Sequence, residues 1–390
     1  MTEKMQKSNV LIVVPSFDSG GTVTSLINFV TLVDKKRYQI NVFAITNSGV
    51  NKKYIADHCT IIGDTKTTVF GSTFKDVLRA KIMATVKCIK KGVKKIGVDI
   101  SPILFRYYAH KLDKANYDFV IAFQEAQATL FCSYFRHGFK IAWVRSEYSR
   151  FIKSVGDRYS KVYEKYDRIV SVSKASMDSF LGILPQYQNI AIVQYNFLND
   201  SRIITLSNEE IDDFGDSSIF TIVSVGRIDP VKRFSEIPRI TRSLLEKGLQ
   251  FRWIIIGGVA VKSEYLLLKQ KLVEYKTPNV ILFGNKSNPY PYIKKSNLLV
   301  SLSISETFNN TLTEAKILGI PVVTTDYPCA FESIKNEEEG IISDFNSLPK
   351  NIERMLNDEE GIYQHVRRHL SNYKYNKEEL LQNLYDRILV

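Results

Sequence analysis

Compact apolar runs recur along this chain, each closed by a polar or glycine-containing turn, and several are followed by apolar positions at helical spacing. In the first half Val10–Val14, Gln39–Ile45, Tyr117–Phe123, Lys140–Val144, Arg168–Ser173 and Ile190–Val193 read as buried strands. Phe220–Val225, Arg252–Gly257, Val280–Phe283, Leu298–Leu302 and Pro321–Thr325 continue the pattern in the second half. Helices are expected at Thr22–Val33, with Leu26, Ile27, Phe29, Val30 and Val33 on the inner face, from Ser235 onward, and from about Asn310 to Leu318, where Gly319 and Pro321 stop it. Lys350–Val390 is mostly helical in pattern, whereas Glu337–Gly340 reads as a turn and Asp200–Ser218 as a polar linker. Strand, loop, helix, strand is the order of an open α/β sheet. A length of 390 residues exceeds one ordinary core and suggests two domains.

Composition adds compartment and charge. No run approaches the roughly 18 apolar residues of a membrane span, and Asn9–Val14 ends at Pro15, too short for a signal peptide, so a cytoplasmic protein is expected. Cys59, Cys88, Cys132 and Cys329 are far apart and form no zinc-type cluster; neither a metal nor a cofactor is expected. The net charge of +12 is uneven: residues to Leu198 carry 29 Lys and Arg against 15 Asp and Glu, the remainder 24 against 26. The first half therefore holds a basic surface suited to an anionic bilayer, a phosphorylated acceptor or nucleic acid.

The densest candidate chemistry lies in Ser301–Asp326. Glu306 falls in the loop beyond a buried strand and Glu314 in the first turns of the following helix, at the kind of crevice where open α/β sheets bind ligands. Two carboxylates there can accept hydrogen bonds from vicinal hydroxyls, and the N–H groups of Phe308, Asn309, Asn310 and Thr311 can receive an anion. A sugar nucleotide has both features. Thr311-x-x-Glu314 is also a capping box, which needs no ligand, and Glu306 could be an ordinary loop carboxylate. Gly20-Gly21, just before a helix, lets backbone approach a phosphate; a plain strand-to-helix turn is the alternative.

Glu306, seven intervening residues, Glu314 and then A-K-I-L-G-I-P-V-V resemble the E-x7-E signature of retaining family 4 glycosyltransferases. That resemblance implies the GT-B fold: α/β, with two Rossmann-like domains whose parallel sheets face each other across a cleft. It implies that Glu306 contacts donor-sugar hydroxyls, that Glu314 holds the ribose, and that the glycine loop Gly20-Gly21 faces the donor diphosphate. Gly226-Arg227 and Lys232 look like the family's G-R-x4-K motif, whose cations bind that diphosphate, and Gly284 lies where the base-recognition loop is found. Arg pairs bidentately with phosphate oxygens, so the assignment is chemically sound. The family's usual Gly-Phe-Gly or Gly-Phe-Pro is Thr307-Phe308-Asn309 here, which leaves the sugar open. Tyr195–Asn199 resembles the interdomain crossing. The expected domains are 1–198, facing acceptor and membrane, 199–375, binding the nucleotide sugar, and 376–390, a helix returning to the first.

On the acceptor side the family often carries W-[IV]-H; Trp143-Val144-Arg145 puts an Arg in place of the His. Arg is no general base at neutral pH but can bind a phosphate or sugar oxygen. Glu125 or Glu147 could assist the acceptor hydroxyl, with a surface ion pair as the alternative for each. Phe74–Gly97 reads as a basic amphipathic helix in which Lys87, Lys90, Lys91, Lys94 and Lys95 are membrane candidates, a solvated helix being the bland alternative. The expectation is a retaining transferase moving a hexose-type sugar from a nucleotide donor to a lipid-linked or growing saccharide in cell-surface polysaccharide synthesis, peripheral on the inner face of the membrane. A sugar-nucleotide epimerase of the same fold and a basic nucleic-acid-binding protein are the competing readings; no nucleic-acid partner is expected because the recognised aromatic-containing modules are missing.

Overall fold

The computed structural model describes residues 6–18, 20–63 and 101–390. The chain forms two compact units, Met1–Phe197 with Glu378–Val390, and Leu198–Lys377.

The first unit holds seven parallel strands: β1 (Ser8–Val14), β2 (Tyr38–Ala44), β3 (Thr60–Ile62), β4 (Phe119–Ala122), β5 (Phe139–Val144), β6 (Arg168–Ser171) and β7 (Ala191–Val193). Their order is β3-β2-β1-β4-β5-β6-β7, so the winding reverses between β1 and β4. The apolar runs exist because helices cover both faces: Val10–Val14, Val120–Ala122 and Ile141–Val144 are essentially without solvent contact. Aromatic side chains fill the space between sheet and helices, with Phe131, Tyr148, Tyr163 and Phe180 in one cluster. The last helix, Lys377–Arg387, packs by its later turns on this unit: Tyr385 stacks on Tyr38 with ring centres 5.7 Å apart, and Asn383 donates to the Gln194 side chain at 2.7 Å.

The second unit holds β8 (Thr221–Val225), β9 (Arg252–Ile256), β10 (Val280–Gly284), β11 (Leu298–Ser301), β12 (Val322–Thr325) and β13 (Gly340–Ser343), also parallel. The order β10-β9-β8-β11-β12-β13 reverses between β8 and β11. Trp253, Ile255, Val300 and Val323 form its core with Ile237, Ile240 and Leu244 of the helix Ile237–Leu245.

Three expectations need correction. Asp200–Leu206, expected as linker, is a helix, because Asn199 caps it by accepting the Arg202 N–H at 3.0 Å and Ile203 is buried beneath it. The helix expected from Ser235 starts at Ile237, since Arg233 adopts a left-handed conformation (φ 51°) between two short 3-10 turns. The short edge strands β3 and β13, of three and four residues, escaped the sequence reading; Gly340 in the expected turn is already the first residue of β13. Among the described residues no helix is long and apolar enough to cross a membrane.

Candidate functional site

Open α/β sheets place ligand-binding loops beyond the carboxyl ends of the two strands at which the winding reverses. In the second unit these are β8 and β11. The chain leaves β8 into Gly226 and Arg227, and leaves β11 into Ser303 and Glu306.

The β8 loop is built by close backbone approach. Gly226 donates to the Ile256 carbonyl at 2.9 Å, and a Cβ on Gly257 would stand 1.7 Å from the Gly226 carbonyl oxygen, so only glycine fits there. Gly226 itself has φ 155°, and a Cβ on it would meet Lys232 Cε at 3.1 Å. The Lys232 stem therefore lies against the bare glycine. Asp229 shapes the turn between them: one carboxylate oxygen accepts the Lys232 N–H at 3.1 Å and the other lies 3.7 Å from Arg227. This geometry accounts for a motif that begins with glycine and ends with lysine six residues later.

Lys232 Nζ donates to Glu306 Oε1 at 2.5 Å, and the Ser303 hydroxyl donates to the same oxygen at 2.7 Å. The two loops are also joined by backbone, Ile304 N–H to the Val231 carbonyl at 2.8 Å. Both partners of the ion pair are under one-fifth exposed, so the charges are partly desolvated yet reachable. Arg227, by contrast, is mostly exposed and pairs with Asp229.

The helix Asn310–Ile317 follows. Its cap residue Asn309 makes no side-chain cap; its buried amide donates instead to Tyr327 Oη at 3.0 Å and Ser301 Oγ at 3.2 Å, tying the helix start to the sheet. A capping box would need Thr311 at the cap position, but Thr311 is the second helical residue, so Glu314 serves no such box. Glu314 is buried and accepts from the Tyr290 hydroxyl at 3.3 Å. Burial pushes its carboxyl up to about 7, against the opposing effects of that hydrogen bond and of the nearby Lys232 charge. Lys232, Glu306 and Glu314 thus form one electrostatic group. Gly284 closes β10 with φ 68° and accepts the Gly257 N–H at 2.8 Å; beyond it Lys286 pairs with Asp213 at 2.5 Å. Tyr290, Ser303 and Tyr327 were not recognised as site residues, and no local signal marks them.

In the first unit the corresponding strands are β1 and β4. Gly20 caps the helix Gly21–Leu32, which opens with no side-chain cap and no acidic residue in its first turn. Glu125, beyond β4, is buried rather than part of a surface ion pair: its Oε1 accepts the N–H groups of Arg145 and Ser146, each at 2.5 Å. Burial raises its pKa, and these backbone hydrogen bonds oppose the rise. Arg145 donates to the Phe123 carbonyl and to Asn196 Oδ1, both at 2.9 Å, and its guanidinium lies 3.9 Å from the Phe123 ring centre. Burial lowers its pKa to about 9, which leaves it cationic at neutral pH. Glu147 takes the hydroxyls of Ser149 and Ser179 at 2.5 and 2.7 Å and pairs with Arg150 at 3.2 Å. The basic stretch with Lys87, Lys90, Lys91, Lys94 and Lys95 lies outside the described residues.

Residues 213–377 match the family model described as glycosyl transferases group 1. The chain is 30% identical over 184 residues to the capsular polysaccharide biosynthesis glycosyltransferase CapM of Staphylococcus aureus, covering 44% of this chain and 47% of that one. It is 27% identical over 205 residues to the N-acetylgalactosamine-N,N'-diacetylbacillosaminyl-diphospho-undecaprenol 4-alpha-N-acetylgalactosaminyltransferase of Campylobacter jejuni, covering 51% and 53%. The chain spans about half the length of the curated relatives it matches. The structure of Anabaena Alr3699/HepE in complex with UDP-glucose superposes with a TM-score of 0.68 at 16% identity over 97% of this chain and 98% of that one. Fold and sequence point the same way: the chain has the two-domain α/β GT-B fold, and its residues 213–377 match the glycosyl transferases group 1 model.

Proposed function

We propose that the protein is a retaining glycosyltransferase that moves a hexose-type sugar from a nucleotide-sugar donor to a lipid-linked or growing saccharide in cell-surface polysaccharide synthesis. The carrying observation is the grouping of Lys232, Glu306 and Glu314 at the β8/β11 reversal, inside the segment that matches the family model. Lys232 and Arg227 supply fixed positive charge for a diphosphate, Glu306 orients sugar hydroxyls, Glu314 holds the ribose, and the start of the helix Asn310–Ile317 presents its dipole to anionic oxygens. Gly284 and its loop receive the base.

Stabilisation of the departing diphosphate by these cations is the main catalytic contribution. The carboxylate of Glu306 gives up its bond to Lys232 as the ammonium turns to phosphate, so one ion pair is exchanged for two substrate contacts. In the first domain Gly20 and Gly21 provide an uncapped helix start for a phosphate, while Arg145, Glu125 and Glu147 shape the acceptor side. The Campylobacter relative's name specifies a diphospho-undecaprenol acceptor, which supports a lipid-linked acceptor and a place on the inner membrane face. Lys87, Lys90, Lys91, Lys94 and Lys95 remain the proposed membrane contacts.

The test is a thermal-shift screen against UDP-, GDP- and dTDP-sugars, followed by transfer assays with the stabilising donor and NMR of the new glycosidic bond. Stabilisation by a nucleotide sugar and an α-linked product from an α-donor are expected. Product formed from donor alone, without acceptor, would replace this reading with the epimerase.

A further inference from the structure

The helix Ser101–Asp113 in the first domain buries Phe105, Ala109 and Leu112 and turns the opposite stripe, Ile103, Arg106, Tyr107 and His110, outward. That spacing puts all four on one face. With Tyr134 and Arg136 the stripe lines a hollow of about 300 Å³, the lower end of the range for small-molecule sites. None of these residues takes part in the site described above.

The second wall of the hollow is held in place by a buried group. Asp113, 4% exposed at the end of the helix, accepts the N–H groups of Arg136 and His137, both at 3.2 Å, and contacts the His137 ring at 3.1 Å. That carboxylate is spent on the backbone and on His137. Among the described residues no carboxylate pairs with the side chain of Arg106 or Arg136. Lys165 adds a third cation, 5.7 Å from the Tyr134 ring centre. Two arginines, one histidine and two tyrosines line the hollow with no acid among its lining residues, a side-chain set suited to a phosphate. At its rim Ile103 and Tyr107 are 71% and 58% exposed, large apolar groups that gain little in water.

We propose that this hollow is a phosphate-binding site on the first domain, taking a phosphate ester whose attached apolar chain lies against Ile103 and Tyr107, as at the surface of an anionic bilayer. The proposal rests on the transferase reading only in its choice of a lipid as bearer; the phosphate site stands on Arg106, Arg136 and His110.

The test compares the full chain with the double variants R106K/R136K and I103S/Y107S on phosphatidylglycerol vesicles, on phosphatidylcholine vesicles and with glycerol phosphate in solution. Replacing both arginines by lysine keeps net charge but removes the planar fork. We expect about tenfold weaker binding of phosphatidylglycerol vesicles and of glycerol phosphate by R106K/R136K. I103S/Y107S should weaken phosphatidylglycerol-vesicle binding and leave glycerol phosphate binding unchanged. Unchanged binding of both ligands by the Lys pair overturns the site, as does equal binding of wild type to both kinds of vesicle. Glycerol phosphate binding that depends on the arginines, with no vesicle binding, overturns the lipid as bearer. UDP binding, measured in parallel, reports on the second domain: its absence from wild type would refute the transferase reading and leave the vesicle result standing.

Discussion

Glu125 and Glu306 occupy matching places, each beyond the strand at which its sheet reverses direction, and their surroundings oppose each other. Glu125 is sealed and spends its oxygen on the backbone N–H groups of Arg145 and Ser146. Glu306 is partly open and holds the side-chain ends of Lys232 and Ser303. Bonds to backbone fix a loop and are kept throughout the life of the fold. Bonds to a lysine and a hydroxyl are exchangeable, and a ligand rich in phosphate and hydroxyl groups can take them over. Position in the sheet nominates a carboxylate; its partners decide whether it belongs to the scaffold or to the ligand.

The sharpest way to break this comparison is to neutralise Glu306. Glu306→Gln should lower transfer by about 10²–10³ with the melting temperature essentially unchanged, measured by steady-state kinetics beside calorimetry. Near-normal transfer by this variant would refute the site.

Glu314 gives the next largest effect, through pH. Its carboxyl is raised by burial from 4.5 to about 7, so the folded state holds a proton that the unfolded chain releases. Stability is therefore fully present below the unfolded value near 4.5 and falls as pH rises to about 7, by roughly 3 kcal/mol. Urea titrations between these limits should show the fall, and Glu314→Gln should flatten it. Donor affinity should run the opposite way, rising through pH 7 as the ribose-binding carboxylate ionises.

Glu125→Ala should cost about 1–3 kcal/mol of stability by leaving two N–H groups unpaired, with activity lost only as the loop loosens. Denaturant titration checks this, and a stable variant with abolished turnover would move Glu125 from the scaffold to the chemistry. The smallest effect belongs to Arg227→Gln: a stability change within about 0.5 kcal/mol, because the side chain is exposed, and nucleotide affinity weakened about tenfold in calorimetric titration.

Much of this was legible in the chain. Continuous apolar runs announced buried parallel strands because a strand covered on both faces has no polar side, and Gly319 and Pro321 announced the end of the helix carrying Glu314. Gly226, Arg227, Lys232, Glu306 and Glu314 stand out through the resemblance of their short spacings to family motifs, since spacing by itself leaves a capping box and an ordinary loop carboxylate equally open. Edge strands of three or four residues gave no such signal, and the polar surface of Asp200–Leu206 hid a helix whose stability comes from one cap and one buried isoleucine.

The sequence by itself determined the α/β class, the two-domain scale and the nucleotide-binding candidates, since periodicity and short motifs are local properties. Only the tertiary structure decided that Lys232 closes on Glu306, that Glu314 sits beside Tyr290 rather than in a capping box, and that Glu125 is buried. A side chain's partner and its solvation depend on strands that are neighbours in the sheet but about 75 residues apart in the chain, as β8 and β11 are, and no local pattern encodes that adjacency.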